Sequence, residues 1–253
     1  MPFCIGQHPI PSIAHEEQKF LGKVIFFSGK SQETYNYLHD NFKEKLDHID
    51  NAQVRGENKM WMYEHYFLPS VRFLLTVHDL NVTNVEKLDA LAHRFLKKWA
   101  EVPKCGTNLI FHMKEGMGIP TISTLYETVH CINHTQMRLK GDKTVNAALD
   151  NAVERESEFT RKGSTVVRAQ QVHDWAMSKN CVDGEATMFP ADVRTKEANQ
   201  LATRIKNSVK AKVSEDSMSS QHEHLQTLIK QGESLKFLHQ QPPVFQYCYL
   251  PDY

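Results

Sequence analysis

The chain has 253 residues, 40% of them hydrophobic, and its 30 basic and 30 acidic side chains cancel; its mean hydropathy is −0.51. That length can bury a real core as one elongated or two small domains, while the neutral balance argues neither for nor against nucleic acid and makes any basic surface a local feature. Five cysteines (Cys4, Cys105, Cys131, Cys181 and Cys248) are far apart and lack C-x-x-C spacing, which argues against a disulfide framework and favours a reducing compartment.

Residues 1–30 read as a small β element. Pro2, Gly6, Pro9 and Pro11 predict an extended, irregular start. No basic region followed by an apolar run occurs there, and no stretch of about 18 apolar residues occurs anywhere. The expectation is a cytoplasmic or nuclear protein, neither secreted nor in a membrane. Lys19 to Phe26 is an apolar run broken by Gly22, with Lys19 and Lys23 flanking Phe20-Leu21-Gly22. An interior strand glycine marks a bulge or the close approach of another backbone, and the lysines suit a phosphate backbone. The segment is expected as one short strand with Gly22 in its interior, able to form a small hairpin or edge ribbon with residues 1–14.

Residues 31–179 read as a helical region. Ser31 looks like an N-cap, and Tyr35, Leu38, Phe42, Leu46 and Ile49 recur on one helical face. Gly56 falls in the break before a segment carrying Met60, Trp61, Tyr63, Glu64 and Phe67. Pro69 either kinks that helix or starts a new one. The run Val71 to Val77 is nearly all apolar and is expected to be the most buried stretch. Thr83-Asn84-Val85-Glu86 fits a capping box, followed by a face of Val85, Leu88, Ala92, Phe95 and Trp99, with Pro103 as the stop. Arg94, Lys97 and Lys98 fall in its last turns, where cations suit the helix dipole. Cys105 to Pro120 reads as a loop with a short strand at Leu109-Ile110-Phe111. Further helices are marked by Leu125, Val129 and Ile132, by Val145, Leu149, Ala152 and Val153, and by Val172, Trp175 and Ala176. Residues 180–193 read as a linker. Residues 194–239 read as a helical pair, with stripes at Ala198 to Val209 and Leu225 to Leu238 separated by a loop over Ser214 to Ser220; residues 240–253 read as an irregular tail.

Reaction chemistry is sparse. His130 and His134 have the spacing of two ligands on one helix face, but the glutamate of a zinc-hydrolase motif is missing, and 14 histidines make such pairs common by chance. Gly29-Lys30-Ser31 fails as a phosphate loop because Val24 stands where the first glycine is needed. No Gly-x-Ser-x-Gly elbow and no adjacent Asp pair occurs. Asp40, Asp47 and Asp50 read as a solvated helix face. The basic clusters, Arg94-Lys97-Lys98 beside Trp99 and Arg204, Lys206, Lys210 and Lys212, read in isolation as ordinary solvated surface.

Pro11-Ser12-Ile13 followed by Lys19-Phe20-Leu21-Gly22-Lys23 resembles the segment after the palm in reverse transcriptases (RNA-directed DNA polymerases) of non-LTR retrotransposons, where a lysine–apolar–Leu-Gly step forms the primer-grip hairpin. The series Leu46-Asp47-His48-Ile49-Asp50, Val54 to Trp61, Leu68 to Val77 and Arg94-Phe95-Leu96-Lys97-Lys98-Trp99 before Val102-Pro103 is similar to the thumb of such enzymes. Ile119 to Tyr126 and Val153 to Ser157 extend the likeness, which covers roughly Pro11 to Gly163 in its order and spacing.

The resemblance implies a mainly α fold: a thumb-like helical bundle with a small N-terminal β-hairpin. It implies a non-catalytic fragment that positions template-primer nucleic acid without reading sequence. The implied contacts are Lys19, Phe20, Leu21, Gly22 and Lys23, with Arg94, Lys97 and Lys98 on the backbone. The family's metal-binding aspartates belong to a palm that matches no position here. The expectation is therefore no cofactor in this chain, no polymerase activity alone, and an upstream palm and fingers as the other partner. The alternatives are a helical interaction or oligomerisation module and a transposon remnant without function.

Overall fold

The computed structural model describes residues 4–5, 8–9, 18–20, 23–25, 31–106, 108–112, 117–159, 164–180 and 196–219. Among these the protein is mainly helical, with short β-ribbons near the N-terminus. Strands β1 (Cys4–Ile5) and β2 (His8–Pro9) pair antiparallel, as do β3 (Gln18–Phe20) and β4 (Lys23–Ile25). The described residues fall into two units that divide at Asn108 and Leu109.

The first unit follows from three amphipathic stretches. Helix α1 (Ser31–Asn51) turns Leu38, Phe42, Leu46 and Ile49 inward, each at most 2% exposed, as their spacing predicts. Helix α2 (Gly56–Met62) runs through a π-helical turn (Tyr63–Phe67) into α3 (Leu68–Val77). This rod lies antiparallel to α1: Lys59 Nζ meets the main-chain oxygen of Asp50, Phe67 packs edge-on against Phe42, and His78 sits beside Tyr37. Helix α4 (Val82–Trp99) returns parallel to α1, with Lys87 over the Tyr35 ring and Trp99 bonded to Asp50. Val85, Leu88, Leu91, Ala92, Leu96 and Trp99 are its buried face.

Gly56 serves close packing rather than a break. It begins α2, and a Cβ there would stand 1.8 Å from the carbonyl oxygen of Trp99. Pro69 stands in the first turn of α3, directly after the π-helical turn, as one of the two expected outcomes has it. The amide of Leu68 bonds back five residues to Tyr63, and Leu68 stays helical at φ −57° and ψ −46°. Widening that one turn gives the proline ring room against the carbonyl four residues earlier.

The second unit holds α5 (Leu109–His112), α6 (Ile122–Leu139), α7 (Lys143–Phe159), α8 (Thr165–Asn180) and α9 (Lys196–Ser219). Thr121 caps α6 by accepting from the Thr124 amide at 2.8 Å. Asp142 does the same for the amides of Thr144 and Val145 before α7. Cys131 and Ile132 of α6, Ala169, Val172 and Ala176 of α8, and Ile205, Val209 and Val213 of α9 form one buried cluster. The Arg168 guanidinium on α8 ties all three helices together, donating to Glu127 at 2.7 Å and to Asp216.

Several expectations fail for local reasons. Leu109-Ile110-Phe111 is helical, with Phe111 buried, not a strand. The run Val71–Val77 is not the most buried stretch: helical spacing buries Val71 and Leu75 and leaves Phe73 51% exposed. Helix α4 starts earlier than the capping box requires: Asn81 holds the N-cap position in extended geometry without a side-chain capping bond, so Thr83 lies inside the helix. Its stop precedes Pro103: Glu101 takes a left-handed conformation at φ 54°, and Val102 bonds back to Lys97. Helix α9 continues through Ser214 to Ser219, because Val213 prolongs its buried stripe and Lys212 bridges Asp216 at 2.8 Å. The 180–193 linker (Asn180 apart), the Leu225–Leu238 stripe and the 240–253 tail lie outside the described residues.

Candidate nucleic-acid interface

The ribbon expected to grip a primer is a two-stranded antiparallel pair. Gln18 stands opposite Ile25, Lys19 opposite Val24 and Phe20 opposite Lys23. The intervening Leu21 and Gly22 lie outside the described residues. On β4 the side chains are defined: Val24 is 5% exposed, Ile25 is exposed, and Lys23 is half-buried.

What holds this ribbon is a residue the sequence did not flag. His78 follows α3 and is fully buried. The Val24 amide donates to its Nε2 at 3.3 Å, and its Nδ1 lies 2.9 Å from the Leu74 carbonyl oxygen. A carbonyl only accepts, so the proton belongs on Nδ1 and the lone pair on Nε2 faces Val24. Burial first, then the charge of Lys23, lowers the His78 pKa below the ordinary histidine value; the Leu74 bond and Asp79 oppose them. Lys23 also lies 3.9 Å from Asp79. Lys23 is half-buried and Asp79 is exposed, so this solvent-screened pair contributes about 1 kcal/mol at most.

The predicted basic cluster does not form one free patch. Lys97 donates to the Lys104 carbonyl at 3.0 Å, and Lys98 donates to Asp50 at 2.6 Å. Asp50, read from sequence as solvated, is instead the junction of α1 with α4. It also accepts the Trp99 indole N–H at 2.9 Å, and its side chain is only 15% exposed. Lys98, Trp99 and Lys59 together hold its carboxyl below the ordinary carboxylate range, the Lys98 bond most strongly. Arg94 is exposed and acts electrostatically on Tyr35.

Position along α1 separates these groups. The ribbon docks near Tyr37, through His78, and Lys87 lies 5.3 Å from the Tyr35 ring centroid. Asp50 and Lys98 stand 13 residues further along, about 20 Å at a helical rise. Lys87, on the exposed side of α4, stands at the level of Tyr35 on α1, and no sequence signal singled it out.

His130 and His134 have separate protein partners. His134 Nε2 bonds Gln170 Oε1 at 2.8 Å, and His130 packs on Tyr126. Gln170 Oε1 also accepts from Arg138, and its amide donates to Asp174, which fixes the amide orientation and puts the His134 proton on Nε2. His173 stands 6.1 Å away with Nδ1 buried and unbonded. Among the described residues no group of three or more metal-ligating side chains converges. No helix among them is long and apolar enough to cross a membrane. On the second basic cluster, Arg204 and Lys210 are exposed, whereas Lys212 is tied to Asp216 and lies over the Trp175 ring.

Compared with protein-family models, curated proteins and solved structures, the chain matches none.

Proposed function

We propose that this chain positions template-primer nucleic acid without catalysing synthesis itself, as a primer-grip and thumb piece of a reverse transcriptase of the non-LTR retrotransposon class. The observation that supports the reading is the docked β3–β4 ribbon. It carries the Lys19–Lys23 segment on which the resemblance rests, and it is anchored to the helical unit through Val24 and His78. Lys19 and Lys23 would meet phosphates at the ribbon, with Phe20, Leu21 and Gly22 beside the primer end, and Arg94 and Lys87 would offer further cations from α4. Lys97 and Lys98, held by Lys104 and Asp50, would add less than their sequence position implies.

Such contacts position rather than specify, so binding should ignore sequence and weaken steeply with salt. The test is fluorescence anisotropy of an RNA–DNA primer-template duplex at about 50 mM and about 200 mM salt. Affinity at low salt that falls on salt addition, equal for unrelated sequences, is expected; no binding at low salt refutes the reading.

A second reading, a self-associating helical module, draws on one observation. Trp61 (49%), Tyr66 (65%) and Phe73 (51%) are exposed on the α2–α3 rod, with Trp61 stacked on His65 at 4.6 Å. Exposed aromatics of this kind are enriched at protein interfaces. A stable dimer by sedimentation, lost in Trp61→Ser with Phe73→Ser, together with no duplex binding, would favour it.

A further inference from the structure

We propose that His78 is a proton-operated latch that holds the β3–β4 ribbon on the helical unit when neutral and releases it when protonated.

The geometry assigns each ring nitrogen one partner of opposite character. Nδ1–H donates to the Leu74 carbonyl within the last turn of α3, so the imidazole is oriented by its own helix. Nε2 accepts the main-chain amide of Val24 from β4, 54 residues away in sequence. Adding a proton converts Nε2 from acceptor to donor. Two N–H groups then point at each other across 3.3 Å, and no lone pair remains on the ring to receive Val24. The bond to Leu74 survives protonation, so the change acts on the ribbon alone.

The surroundings favour this response. Lys23, next to Val24 on β4, carries a like charge that disfavours an imidazolium; Asp79 opposes it, but is 90% exposed and is already 3.9 Å from Lys23. From α1 the Tyr37 ring faces His78, with the ring centroids 6.0 Å apart. Burial of His78 places its protonation below the ordinary histidine pKa, so the ribbon stays docked near neutrality and loosens on acidification. Lys23 and Asp79 are the charged groups that act on His78 among the described residues. The latch belongs to the ribbon whether or not that ribbon grips nucleic acid.

The test uses the full chain and follows by NMR the hydrogen-exchange protection of the Val24 amide, corrected for intrinsic exchange, from about pH 8 to about pH 5. Loss of this bond should lower protection roughly tenfold, while Leu46 and Leu88 amides keep theirs. The midpoint should coincide with the His78 imidazole titration read from its ring nitrogen shifts in the same sample. His78→Gln, which keeps an acceptor that does not titrate, should abolish the pH dependence. Should that variant not fold, the coincidence of the two wild-type curves decides. Unchanged Val24 protection while His78 titrates would overturn the proposal. So would loss of Val24, Leu46 and Leu88 protection together, which would mean that the whole unit opens rather than the ribbon.

Discussion

Replacing Asp50 isolates what joins α1 to α4. In Asp50→Ala the Trp99 indole N–H loses its acceptor at a position where the residue is only 5% exposed. A buried donor left unpaired costs about 1–3 kcal/mol. The Lys98 partnership adds little, because the lysine side chain is 66% exposed and a solvent-screened pair contributes about 0.2–1 kcal/mol. Asp50→Ala should therefore cost about 2–3 kcal/mol. Asp50→Asn keeps an oxygen for the indole and should cost about 1 kcal/mol or less, similar to Lys98→Ala. Hydrogen exchange of the Leu46 and Leu88 amides reads these differences within the first unit. The sign with pH follows from the lowered Asp50 pKa: its stabilisation is present above the unfolded carboxyl pKa of about 3.9 and fades as pH falls through the lower folded value. Asp50→Asn should lack that acid component. Equal costs for Asp50→Ala and Lys98→Ala would refute the assignment of the indole bond as the main tie.

Gly56→Ala forces a methyl into the Trp99 carbonyl; it should destabilise the first unit by about 1–3 kcal/mol or more and lower Leu88 protection, while Arg55→Ala, at an exposed position, should leave it unchanged. In the second unit, burial above all lowers the His173 pKa to about 4. The fold thus prefers the neutral ring, and its contribution is full above the unfolded value of about 6.5 and is lost as pH falls toward the folded one. Protection of α6 and α8 amides should decline over that window and decline less in His173→Phe. The buried Cys131 thiol is pushed up to about 12, chiefly by desolvation, whereas Cys105 is exposed. Iodoacetamide near pH 8 should therefore label Cys105 in the native chain and spare Cys131, as peptide mass mapping will show.

Much of the helical frame was legible in the sequence because burial follows spacing. Leu38, Phe42, Leu46 and Ile49 recur at threes and fours, and all face the core. The same logic failed where composition was read without phase: Phe73 sits in an apolar run yet faces out, because a helix buries only one side of it. Long-range partners were invisible. Asp50 reads as one more helix-end carboxylate, and nothing nearby announces that Trp99, 49 residues on, brings it an indole N–H. Lys97 and Lys98 could be picked out by type, but whether a lysine is free depends on Lys104 and Asp50, which only folding brings close. His78 carries no motif; its role comes from the amide of Val24, and an amide has no residue signature. Strand character around Lys19 was a local signal, but the pairing was not: the sequence reads as one strand with an interior glycine, whereas Gln18–Phe20 and Lys23–Ile25 are two strands paired with each other.

The central claim is that the ribbon end of the first unit holds a nucleic-acid backbone. Its most direct test is the salt dependence of primer-template binding in Lys19→Glu with Lys23→Glu against the unaltered chain. The account predicts weaker binding of every duplex sequence and a log–log salt slope shallower by about 1 for each phosphate no longer neutralised. Equal affinity and an unchanged slope in the two proteins, with the Val24 amide still protected, would contradict it.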